Sequence, residues 1–109
     1  MNDTVDTEAQ PPAEEPYTRT ALDALPGRVL LEFGAGWCGF CRAAQPSIGA
    51  WLARHGDVRH IRIEDGKGRR LGRTYAVKLW PTLILLQDGR EIARVVRPDG
   101  AAALASALG

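Results

Sequence analysis

The sequence has only two cysteines, Cys38 and Cys41, in 109 residues. A structural disulfide between them is not expected, since the loop would be tiny and no secretory signal points to an oxidising compartment. Nor do they complete a zinc finger, because His55 and His60 do not stand at the usual ligand spacing. No metal and no other cofactor is assigned. Long apolar runs are also missing: Leu83-Ile84-Leu85-Leu86 is among the longest, far short of the roughly 18 residues of a membrane-spanning helix. No membrane partner is expected. Residues 1–16 contain no basic residue and no apolar stretch of about 7–15 residues, so they do not read as a secretory signal.

A net excess of either charge is lacking as well, with a formal net charge of +1. The near balance hides an asymmetry. Asp3, Asp6, Glu8, Glu14 and Glu15 lie in the first sixteen residues, leaving eight acids against fourteen bases beyond them. The opening stretch, with three prolines, is expected to be a disordered acidic leader over 1–16. Residues 17–109 form the folded domain, and the 45% hydrophobic content suffices for one core. Lys67, Arg69, Arg70 and Arg73 cluster without interleaved aromatics, so they read as a solvated face and no nucleic-acid partner is expected.

What is present begins at Val29-Leu30-Leu31-Glu32-Phe33, a continuous apolar run that predicts a central strand covered on both faces. Glu32 inside it is anomalous, and burial is expected to raise its pKa. A glycine-rich bend and Trp37-Cys38-Gly39-Phe40-Cys41 follow. Ala44, Ile48, Trp51, Leu52 and His55 then recur at helical spacing until Gly56, the expected C-cap. Both cysteines thus fall where a strand hands over to a helix. Exposed backbone N–H groups and the helix dipole favour a thiolate there. The bend also satisfies Gly-x-Gly-x-x-Gly through Gly34, Gly36 and Gly39. A dinucleotide site is disfavoured, because Trp37 would crowd the pyrophosphate and the remaining chain is too short for that fold.

The other elements follow from periodicity and punctuation. Ala21, Leu22 and Leu25 mark a short helix ended by Pro26-Gly27, with a marginal edge strand at Tyr17 to Arg19 before it. Val58 to Ile63 alternates as a strand parallel to the first, with His60 and Arg62 on one face. Asp65 to Arg73 reads as a loop and short helix reaching Tyr75. Asp88-Gly89 joins Thr82–Gln87 and Glu91–Val96 as a hairpin. Asp99 is expected to cap a last helix with Ala101, Leu104, Ala105 and Leu108 on its apolar face.

Glu32, the Trp37-Cys38-Gly39-Phe40-Cys41 motif, Pro46 and Tyr75-Ala76-Val77-Lys78-Leu79-Trp80-Pro81-Thr82-Leu83 occur in the order of the thioredoxin family's landmarks, and from about Ala21 to Leu108 the chain resembles that family. The resemblance implies an α/β thioredoxin-like fold, a mixed sheet of four to five strands with helices on both faces. It implies a thiol-disulfide oxidoreductase that reduces protein disulfides. Cys38, nearer the helix start and expected to be the more exposed, is the nucleophile; Cys41 resolves, and the two close a redox disulfide. Glu32 accepts or donates the proton, with His60 as a possible relay. Trp37, Gly39, Phe40, Trp80 and Pro81 contact substrate, and Trp80-Pro81 is expected to be cis. The implied partners are protein disulfides and an external electron donor such as a thioredoxin reductase, with the chain a monomer in the cytoplasm, where dithiols are kept reduced. Four positions depart from the family's habit: Gly34, Phe40, Trp80 and Arg97, the last where many members have glycine. These departures keep open an alternative, a binding module of the same fold with narrow partner choice and little turnover.

Overall fold

The computed structural model of the protein describes residues 16–109; the expected leader lies outside them except for Pro16. The elements in chain order are α1 (Arg19–Asp23), β1 (Arg28–Gly34), α2 (Gly39–Arg54), β2 (Arg59–Glu64), α3 (Leu71–Thr74), β3 (Thr82–Gln87), β4 (Arg90–Val96) and α4 (Ala101–Leu108). The strands form one sheet in the order β2-β1-β3-β4. β1 runs parallel to β2 and antiparallel to β3. An edge strand at Tyr17 to Arg19 does not form. Thr18 instead caps α1, its hydroxyl accepting from Ala21 N–H at 3.1 Å, and Arg19 already belongs to the helix.

Alternation along β1 divides the core into two layers. Val29, Leu31 and Phe33 pack with Leu22, Ile61, Ile63, Leu71 and Tyr75 on one side. Leu30 packs with Ala44, Ile48 and Trp51 of α2 and with Leu104 and Leu108 of α4 on the other. By the same alternation Glu32 shares the face of Leu30 and lies under α2. The parallel register sets Leu30 opposite His60 and Glu32 opposite Arg62, so the polar side of β2 meets the one acid in the central strand.

Turn chemistry closes the rest. Asp88 and Gly89 take φ of +52° and +83° at the β3–β4 hairpin, the positive values such a tight turn requires. A side chain at Gly89 would also run into the Asp23 carbonyl. Helix α2 ends at a His55 cap, one residue before the expected Gly56. The His55 ring stacks on Trp51 at 3.9 Å and donates through Nδ1 to the Trp51 carbonyl at 2.7 Å. Asp99 does not cap α4. Gly100, at φ +100°, takes the N-cap position and no side chain bonds there, leaving the carboxylate one residue too early.

Candidate active site

The carboxyl end of β1 and the first turn of α2 assemble the cysteines. Cys38 is the N-cap of α2 in an extended conformation, and its Sγ accepts the Cys41 N–H at 3.3 Å. The Cys38 N–H donates to Ala35 O at 3.1 Å, which fixes the bend. Both thiols are free. By fractional exposure the two residues hardly differ, at 5% and 6%, but the Cys38 thiol lies in the shallower surroundings and the Cys41 thiol deeper, as expected.

Charge and hydrogen bonding separate them further. Burial pushes the Cys38 thiol up, but hydrogen bonds from the Cys41 thiol and backbone and from the Phe40 backbone, with the Arg97 charge, bring it below the ordinary value. Burial is also the main effect on Cys41. Its hydrogen bond to Cys38 and the nearby Cys38 and Glu32 charges add to it, and the thiol is pushed up to about 11. One thiol is thus poised to ionise and its neighbour to stay protonated.

Glu32 is 4% exposed. His60 Nε2 lies 2.7 Å from its Oε1, Gln45 Nε2 donates to its Oε2 at 2.8 Å, and Arg62 Nε stands 3.8 Å from Oε1. The expected rise in its pKa is not found. Burial does push the carboxyl up, but the bonds from His60 and Gln45 and the charges of His60 and Arg62 together hold it below the usual range. No hydrogen bond joins Glu32 to Cys41 among the described residues. Both line a cavity of about 330 Å³ with Gly34, Ala35, Gly36, Arg62, Ile63 and Glu64.

The expected contact residues surround the thiols on the open side. Trp37 and Phe40 are 73% and 58% exposed, and Gly39 is exposed at the start of α2. Trp37 meets Trp80 edge-on, ring centres 5.4 Å apart. Trp80 is half-buried, packs against Ala35, Cys38 and Cys41, and donates through Nε1 to Asp65 at 3.0 Å. Its bond to the buried Pro81 is cis. Arg97 closes the rim: Nε donates to Trp80 O at 2.9 Å and the guanidinium lies 4.1 Å over the Phe40 ring.

Sequence reasoning missed Gln45 and Asp65. Gln45 is four residues after Cys41, hence on its side of the helix, and it also donates to the Cys41 carbonyl at 2.9 Å. That spacing was the available signal. Asp65 carried none, since a loop residue meets Trp80 only through the tertiary fold. Among the described residues no group of three or more His, Cys, Asp or Glu side chains is placed to hold a metal ion. None of the described helices is long and apolar enough to cross a membrane.

A thiolate-favouring N-cap cysteine, a protonated partner one turn later and a buried carboxylate beneath them can together perform dithiol–disulfide exchange. The chain is similar to the solved structure of thioredoxin 2 from Pseudomonas aeruginosa PAO1 in its reduced form, with 51% identity, a TM-score of 0.76, and 86% of this chain and 87% of that one covered. It is also similar to a thioredoxin of Chlamydia pneumoniae, 41% identical over 64% of this chain and 69% of that protein. Thioredoxin Asp f 28 of Aspergillus fumigatus is 33% identical over 64% of this chain and 65% of its own length. Two other curated relatives, from Oryza sativa and Pyricularia oryzae, are matched over 51% and 40% of their lengths. The thioredoxin family model matches residues 13–109. This chain belongs to the thioredoxin family.

Proposed function

We propose that the protein is a thiol-disulfide oxidoreductase that reduces protein disulfides through a Cys38–Cys41 dithiol cycle. The opposite displacement of the two thiols carries the reading, because exchange needs one ready thiolate and one reserve thiol. The Cys38 thiolate attacks a substrate sulfur, forming a mixed disulfide and releasing the first substrate thiolate. Cys38 then no longer carries charge. One of the causes that hold the Cys41 proton is thereby removed, and Cys41 ionises more readily. The Cys41 thiolate attacks Cys38 Sγ, the second substrate thiolate leaves, and a Cys38–Cys41 disulfide remains.

The proton from Cys41 passes to the Glu32–His60 pair through solvent water in the cavity that Cys41 and Glu32 share. An ionised carboxylate below its usual range is a weak base alone, so His60 at 2.7 Å is the natural relay. Trp37, Gly39 and Phe40 offer a contact surface, and the backbone of Trp80 before Pro81 pairs with an extended substrate segment. An external donor such as a thioredoxin reductase regenerates the dithiol. The setting is a monomer in the cytoplasm.

The test is the reduction potential of the Cys38–Cys41 pair, read by alkylation after equilibration with glutathione. A value near about −270 mV supports the reductase; one near about −180 to −120 mV assigns the opposite direction, oxidation or isomerisation. Absence of a reversible couple would overturn the exchange reading in favour of a binding module.

A further inference from the structure

Arg97 ties together two parts of the rim that the exchange chemistry leaves unconnected. Its side chain bonds the Trp80 carbonyl, its backbone N–H donates to Pro81 O at 2.8 Å, and its guanidinium covers Phe40 inside the cysteine motif. Its φ is +49°, in the left-handed region that residues with side chains seldom occupy. A residue kept in such a conformation has its side chain aimed by the backbone.

The contacts leave one part of the guanidinium unused. Nε is taken by Trp80 and one flat face by Phe40, while neither Nη group donates a hydrogen bond among the described residues. Nor does a carboxylate of the described residues stand within ion-pair distance of it. Arg97 is exposed. A guanidinium held by its face keeps its planar donor edge free, the geometry that matches a carboxylate.

We propose that Arg97 is a specificity-determining residue that favours disulfides whose reacting cysteine is flanked by aspartate or glutamate. The proposal rests on the exchange reading above. A carboxylate beside the substrate sulfur meets the free Nη edge while Nε keeps the Trp80 carbonyl and Phe40 keeps one face of the guanidinium. A neutral flank leaves that edge to solvent, and a basic flank meets a like charge.

The test uses the full chain, reduced and desalted, in single-turnover exchange with three fluorogenic disulfide peptides that differ only in an Asp, Asn or Lys beside the cysteine. The Asp peptide is expected to react about 3–10-fold faster than the Asn peptide, and the Lys peptide about 2–3-fold slower than Asn. Raising the ionic strength from about 0.05 to 0.5 M should compress the series. In Arg97→Gln the Asp-to-Lys ratio should fall to within about twofold of unity, and Arg97→Lys, which keeps the charge, should restore part of it. The ratio is insensitive to any common change in fold or thiolate content. A flat series in the wild type with normal Asn-peptide exchange would overturn the proposal, as would an unchanged ratio in Arg97→Gln. Failure of all three peptides to react would overturn the exchange reading as well.

Discussion

His60 Nε2 and Glu32 Oε1 are 2.7 Å apart, one on the edge strand β2 and the other inside the central strand β1. The contact exists because the parallel register brings the polar face of β2 onto the α2 side of the sheet, where Glu32 is buried. Stability should therefore respond to acid through Glu32. Its folded pKa is depressed below the ordinary 4.5, so its contribution is present above about pH 4.5 and is lost as pH falls through the folded value. Urea midpoints between about pH 3 and 7 should drop toward acid in the wild type. The drop should be smaller in Glu32→Gln, and an equal drop in both would contradict the assignment.

Cys38→Ser should lower the pKa of Cys41 from about 11, because a hydrogen bond to Cys38 and the Cys38 charge both help to raise it. Burial and the Glu32 charge remain, so the value should stay above that of an ordinary thiol. The pH dependence of iodoacetamide alkylation in that variant reads it directly. No decrease would remove the support for the proposed activation of Cys41 in the mixed disulfide.

Gly34 stands against the resolving thiol. A Cβ there would lie 2.7 Å from Cys41 Sγ, so Gly34→Ala must push that sulfur aside. Overpacking of this kind costs about 1–3 kcal/mol where neighbours cannot move, and less where a sulfur can turn. We expect resolution to slow by about 3–10-fold and a mixed disulfide with a peptide substrate to accumulate, as seen by mass spectrometry. Unaltered resolution would mean that the sulfur has a second productive position.

Asp65 holds Trp80 by the indole N–H at 3.0 Å. Asp65→Ala should destabilise the protein by about 1–3 kcal/mol in urea unfolding, because it leaves a half-buried donor unpaired. Asp65→Asn keeps an acceptor and should lose less. Equal losses would show that charge, rather than the hydrogen bond, matters at this position.

The strand–bend–helix order around the cysteines was legible because each piece is local: an apolar run, glycines, and helical spacing after Cys41. The burial of Glu32 was legible for the same reason. Its ionisation was misread because burial acts from its own strand, whereas His60, Arg62 and Gln45 arrive from β2 and α2 only after the sheet register is set. His60 and Arg62 were placed on one face, but nothing local said that this face was the one shared with Glu32. The Asp99 cap failed by a single residue: Gly100 at φ +100° fits the helix entry better than the polar side chain before it. Gly34, Phe40, Trp80 and Arg97 stood out as departures, yet only the fold showed that Phe40, Trp80 and Arg97 touch in sequence around one rim.

The placement of the three tryptophans has an optical consequence. Trp37 immediately precedes the nucleophile and abuts Trp80, so this pair should sense closure of the Cys38–Cys41 bond as a change in emission. Trp51 is buried near the C-terminal end of α2, stacked on His55 and bonded through Nε1 to Gly109 O at 2.9 Å. Its signal should follow fraying of the terminal helix rather than the oxidation state. The chain thus carries two separable fluorescent reporters, one for redox state and one for the integrity of its C-terminal end.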